Sequence, residues 1–242
     1  MSDVVSAPPQ PRVPVRGENL PSDSQFPVHR IYCVGRNFAE HAREMGATAP
    51  TSAADRGNPT FFLKPADAIV IDGAVTYPRG THDLHHEVEL VVALGRDAPA
   101  GIIAVEDAMT LVYGYAVGLD LTRRDLQAAA KAKSLPWDTG KSFEHAAPIS
   151  SIVPAAAIGP LEPRKLTLKI NDEVRQHGAL SDLVWNVAEI LHELSKLYAL
   201  RAGDLVFTGT PAGVGPLQPG DAFEAALDDA IMLRGHIAEP TA

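Results

Sequence analysis

A chain of 242 residues, 45% hydrophobic and 21% charged, is long enough to bury a sizeable core and has the balance of a globular protein. Its formal charge of −9 argues against a nucleic-acid or anionic-membrane surface, and no apolar run approaches the length of a spanning helix. The single cysteine, Cys33, excludes an internal disulfide and, flanked by Tyr32 and Val34, reads as a small buried apolar residue.

Residues 1–25 carry Pro8, Pro9, Pro11, Pro14 and Pro21 with few large apolar groups, which predicts a disordered or surface-draped arm. The arm lacks the apolar centre of a secretory signal, so a cytoplasmic location is expected. From Phe26 the character changes, and 26–242 reads as one domain. A strand over 28–34 runs into a short helix over 37–46, with Asn37 as N-cap, Glu40 as its capping partner and Gly46 as the stop. On that helix His41 and Glu44 are three apart and share a face. A carboxylate beside an imidazole fixes its tautomer and raises its basicity, as a general base requires. A surface helix with an incidental ion pair has the same spacing. The small-residue loop 47–59 is of a kind that often covers sites.

The middle of the chain is strand-like. Segments 61–64, 68–71, 87–94 and 111–119 are short, rich in β-branched or aromatic residues, and punctuated by Gly and Pro. A helix is expected over 126–133 with Thr122 as cap, and a hairpin over 166–176 turning at Asn171-Asp172-Glu173. Val184, Val187, Leu191 and Leu194 lie near one stripe of a long helix over 183–197, capped by Ser181 or Asp182. Strands at 205–208, 222–227 and 231–236 follow. The fold class is therefore β-rich α+β with few short helices. The absence of βαβ alternation argues against a doubly wound sheet.

Chemistry concentrates in a few stretches. In His85-His86-Glu87-Val88-Glu89-Leu90, a strand would point Glu87 and Glu89 to one side. A solvent-facing strand alternates in the same way, but the unbroken apolar run 90–94 favours burial, and buried paired carboxylates favour a metal. All-oxygen ligation would select Mg²⁺ or Mn²⁺. Asp120 ends an apolar strand and is a candidate third carboxylate. Arg124 and Gln127 would share a helical face and could grip a substrate carboxylate, although a helix cap with solvated arginines reads the same way. The glycines of Thr208-Gly209-Thr210-Pro211-Ala212-Gly213 permit close backbone approach to a ligand and match no nucleotide fingerprint.

Taken together, CVGRNFAEHAREMG, FFLKPADAIV, HHEVELVVALG, GYAVGLDLTRRDLQ, GKSF and FTGTPAGVGPLQPGD, in that order, resemble the fumarylacetoacetate hydrolase family over about 26–236. Within it the small acylpyruvate hydrolases are most similar, above all the fumarylpyruvate hydrolases of gentisate degradation. The resemblance implies a mixed β-roll of several sheets, a homodimer, and Mg²⁺ or Mn²⁺ on Glu87, Glu89 and Asp120. It places the catalytic pair on His41 and Glu44 on a lid helix, and the family lysine on Lys141. Arg124, Gln127 and Thr210 fall on positions that hold the 2-oxo-carboxylate end, with Arg36 and Lys64 as helpers. Phe38 replaces a common tyrosine. The implied reaction is hydrolysis of a 2,4-dioxo acid, fumarylpyruvate plus water giving fumarate and pyruvate. The same residues also suit another acylpyruvate hydrolase, an oxaloacetate decarboxylase or a homoprotocatechuate-pathway isomerase or decarboxylase. A non-catalytic ligand-binding protein is disfavoured because every catalytic position is filled.

Overall fold

The run Val88–Leu94 is buried at every residue because its strand lies inside a mixed six-stranded sheet covered on both faces. The computed structural model describes residues 4–44, 46 and 55–240. Within the six-stranded sheet the order is Val153–Pro154, Val112–Leu119, Val88–Leu94, Leu205–Phe207, Ile31–Gly35 and Thr60–Lys64. All neighbours run antiparallel except Leu205–Phe207 beside Ile31–Gly35, where Leu205 pairs with Ile31 and Phe207 with Cys33. A five-stranded sheet (Glu173–Ala179, Lys165–Ile170, Ala222–Leu227, Ile231–Ala238 and Ala74–Thr76) packs across strands 88–94 and 112–119. A three-stranded sheet joins Thr122–Arg123, Leu84–His86 and Gly215–Leu217, and two small pairs complete the strands. This mixed, multi-sheet β-roll with short helices agrees with the expected fold class.

Local chemistry explains most elements. The hairpin turns at Asn171 and Asp172, both with positive φ (51° and 66°), as a two-residue turn with right-handed strand twist needs. Cys33 is fully buried, as expected. In the proline-rich arm, residues 4–10 are exposed, while Arg12–Pro14 pairs with Gln25–Pro27 and buries Val13 and Val15. No helix among the described residues is long and apolar enough to cross a membrane.

Three expectations about helix starts are corrected. The long helix spans Val187–Ser195, and its cap is Asn186, whose side chain accepts from Glu189 N–H in a capping box. Residues 183–185 are drawn out of the helix by tertiary bonds: Leu183 bridges Phe38, and Asn37 accepts from the amides of Val184 and Trp185. The same bonds remove Asn37 as a cap of the Ala39–Glu44 helix, and Glu40 pairs with Arg43 instead. Thr122 sits on a strand, and the helix Arg124–Ala132 begins without a side-chain cap. Gly46, at φ 73°, donates to the Arg43 carbonyl and does close the first helix. Of the loop 47–59, residues 47–54 lie outside the described residues.

Candidate active site

Three carboxylates converge where two antiparallel strands meet. Glu87 occupies the break between Leu84–His86 and Val88–Leu94, Glu89 lies inside the second of these strands, and Asp120 follows Val112–Leu119. Val88 pairs with Leu119, so Glu87 and Asp120 face one another across the strand ends, joined by Asp120 N–H to Glu87 carbonyl at 2.8 Å. Glu87, Glu89 and Asp120 each offer an oxygen within 4.8 Å of the others, and all three are at most 5% exposed.

Buried cations answer this charge unevenly. Lys141 Nζ reaches Glu87 Oε2 at 2.9 Å, Asp120 Oδ2 at 2.6 Å and Thr122 Oγ1 at 2.7 Å. Lys64 Nζ lies 2.8 Å from Asp120 Oδ1, but it directs hydrogen bonds to the carbonyls of Leu121 and Lys141, leaving Oδ1 an ionic contact without an aligned donor. Arg124 donates to Glu87 Oε1 and to Gln127 Oε1, each at 2.6 Å. Burial would raise the Glu87 carboxyl, yet Lys141 and Arg124 overcome it and hold the pKa far below the carboxylate range. Burial likewise opposes the charged lysine, but Asp120 and Glu87 hold Lys141 above the ordinary lysine range, so it is a fixed cation and not a base.

Glu89 is the exception. Among the described residues no ion pair reaches it, and its Oε2 accepts only the Gly209 N–H, at 2.7 Å. Burial, then the charges of Asp120 and Glu87, push its pKa well above the carboxylate range. A buried carboxylate left without a counter-charge beside two others is the arrangement a divalent cation completes. The all-oxygen donor set fits Mg²⁺ or Mn²⁺. Gly209 makes its bond at φ 101°, and a Cβ there would lie 2.6 Å from Asn37 Cβ, so only glycine suits the position.

His41, from the Ala39–Glu44 helix, lines the same cavity as the triad and is 6% exposed. Its Nδ1 lies 3.2 Å from Glu44 Oε2, so the spacing of three does bring the pair together. Glu44 in turn accepts the Gly213 N–H at 3.1 Å, which docks the helix on the glycine-rich loop. Thr210, Arg36, Arg124, Gln127 and Lys141 also line the cavity, whereas Lys64 stands behind Asp120.

Several participants escape sequence reasoning. Buried Gln176 accepts from Val88 N–H, meets His86 Nδ1 at 3.0 Å, and donates to Thr210 Oγ1 and the Pro211 carbonyl, so one amide fixes strand and loop together. Phe62 and Trp137 supply an apolar wall, their rings 6.1 Å apart. Lys131 also faces the cavity, and its only sequence signal is a place two turns beyond Arg124.

Residues 30–238 match the model of the fumarylacetoacetate (FAA) hydrolase C-terminal family. The fumarylpyruvate hydrolase of Pseudomonas aeruginosa, solved with Mn²⁺ and pyruvate, is 40% identical with a TM-score of 0.90, covering 98% of this chain and 100% of that one. A Burkholderia cenocepacia protein provisionally called a fumarylpyruvate hydrolase is 44% identical with a TM-score of 0.87, and each chain covers 100% of the other. The mitochondrial oxaloacetate tautomerase of Bos taurus is 40% identical over 211 residues, 87% of this chain and 92% of its own length.

Proposed function

The chain belongs to the fumarylacetoacetate hydrolase family, and from that premise we propose that it hydrolyses the carbon–carbon bond of a 2,4-dioxo acid, with fumarylpyruvate as substrate. The observation that carries the reading is that a His41–Glu44 pair opens onto the same cavity as three buried carboxylates. Glu87, Glu89 and Asp120 would hold a divalent ion, which when bound would supply Lewis-acid chemistry to the substrate's oxygens.

The chain's own residues do the rest. With Glu44 accepting from Nδ1–H, the His41 tautomer is set and Nε2 is left as the base. His41 takes a proton from a water attacking the 4-carbonyl, and the bond between carbons 3 and 4 then breaks. The electrons are left on a pyruvate enolate, beside which Lys141 is a fixed positive charge. Protonation at carbon yields pyruvate, and fumarate is the other product. Arg124 and Gln127, already aligned with each other, hold the substrate's carboxylate, and Thr210 is positioned by Gln176 to donate or accept at the oxo end. A homodimer at work in gentisate breakdown, cytoplasmic as the sequence suggests, belongs to the same proposal.

A second reading draws support from the 40% identity to an oxaloacetate tautomerase: the same centre moving a proton between oxygen and carbon 3 of oxaloacetate, or releasing its carboxyl group as CO₂. Neither reaction needs water to attack a carbonyl. Rates on fumarylpyruvate, acetylpyruvate and oxaloacetate, measured side by side with Mn²⁺, separate the readings. Hydrolysis of fumarylpyruvate should show the highest kcat/KM. Fast enol–keto conversion of oxaloacetate with no consumption of fumarylpyruvate would overturn the hydrolase.

A further inference from the structure

Helix Arg124–Ala132 presents Arg124, Gln127 and Lys131 to the cavity, a spacing of three and then four that forms one stripe. The first two are engaged, with each other and with Glu87. Lys131 is partly buried and forms no ion pair or hydrogen bond among the described residues, and neither does Arg36, which lines the same cavity. Arg36 holds φ 61°, a conformation costly for a side chain with a Cβ, at the point where it meets the site. Burial, then the charges of Arg36 and Arg124, push Lys131 below the ordinary lysine range, so these cations feel one another. In a chain of net charge −9, two unpaired cations facing a cavity await an anion.

We propose that Lys131 and Arg36 form a second carboxylate site, so that the enzyme selects acyl tails that end in a carboxylate. This rests on the acylpyruvate reading above and names the end of the substrate that reading leaves open. Seven residues of helix advance roughly 10 Å from Arg124 to Lys131. An extended carbon chain advances roughly 1.2 Å per bond, placing the two carboxyl carbons of fumarylpyruvate about 7 Å apart and those of oxaloacetate about 3.5 Å apart. Arg124 and Lys131 are long, flexible side chains on one cavity, so the stripe can take a carboxylate at each end of an extended diacid. Phe62 and Trp137 offer an apolar surface to the conjugated segment.

The test compares kcat/KM of the Mn²⁺-loaded protein for fumarylpyruvate and for acetylpyruvate, whose acyl tail carries no charge. Lys131→Met should lower the fumarylpyruvate-to-acetylpyruvate ratio by about tenfold or more, mainly through KM, while Lys131→Arg should restore it to within about threefold. An unchanged ratio in Lys131→Met overturns the proposal, as does equal loss on both substrates. Lys131→Gln is the replacement if the methionine variant does not fold. Should the parent protein hydrolyse neither substrate, the hydrolase reading fails by itself. Calorimetry of heptanedioate against heptanoate then decides: a preference for the diacid that Lys131→Met removes supports the site, and equal affinities refute it.

Discussion

The side-chain amide of Asn37 donates to the Thr208 carbonyl at 2.7 Å, linking the entry of the His41 helix to the backbone whose next amide, Gly209 N–H, holds Glu89. The amide donates also to the Trp185 carbonyl and accepts from Trp185 N–H, so all of its main capacities are used inside the protein. Asn37→Ala strands three backbone groups, the Thr208 carbonyl buried and the two of Trp185 partly buried, and should cost about 1–3 kcal/mol of stability. Urea unfolding checks the loss. A change below about 0.5 kcal/mol would show that water replaces the amide.

His41→Ala should reduce fumarylpyruvate hydrolysis by about 10²–10⁴-fold while Mn²⁺ affinity, read by electron paramagnetic resonance, stays near that of the parent. Glu44→Gln keeps a contact to Gly213 N–H but weakens the imidazole, so a smaller loss with a shifted pH–rate profile is expected. Full activity in His41→Ala would remove the histidine from the reaction.

Glu89 predicts opposite effects with and without metal. In metal-free protein, burial beside Asp120 and Glu87 disfavours the ionised form of Glu89, which costs stability above the ordinary carboxylate range; Glu89→Gln removes that cost and keeps an acceptor for Gly209 N–H, so its Tm should rise. In the parent, Mn²⁺ at 100 times its Kd adds about 2.7 kcal/mol, an increment the variant should largely lose. Thermal scans with and without Mn²⁺ give both numbers, and a lowered metal-free Tm in Glu89→Gln would contradict the charge argument.

Tyr32 is fully buried against Tyr198, ring centroids 5.0 Å apart, and its hydroxyl has no hydrogen-bond partner among the described residues. Burial, then the charge of Asp204, push its pKa up to about 12. Stability from the neutral phenol is complete below pH 10, the ordinary tyrosine value, and is lost as pH rises towards 12, on the order of 2 kcal/mol. Tyr32→Phe should be neutral or stabilising at pH 7 and should flatten the alkaline decline. Urea midpoints at pH 7 and pH 11 test both statements.

What the sequence reveals depends on the range of each interaction. The triad was legible because strand alternation and strand ends are local patterns, and His41 with Glu44 because three residues close a helical turn. Asn37 is not the cap it was expected to be, and Asn186 caps the helix for which Ser181 or Asp182 was expected, for one reason. Both look like caps, and only the bonds from Asn37 to Trp185 and Thr208, more than 140 residues away, decide which of them caps a helix. Gln176 was silent because a glutamine on a strand carries no local signature of the four partners it meets. Lys131 could have been found by extending the Arg124–Gln127 stripe one more turn.

Strand Leu205–Phe207 lies between Ile31–Gly35 and Val88–Leu94, in the interior of the main sheet. During synthesis the ribosome delivers the two flanking strands long before the one that separates them. Until about residue 207 emerges, each flanking strand has an open, apolar edge, and neither Gly209 nor Thr210 exists to meet Glu89 and the cavity. The cavity is therefore complete only once the 205–207 strand and the loop after it have emerged. The interval before that strand arrives is when chaperones would matter most to its yield.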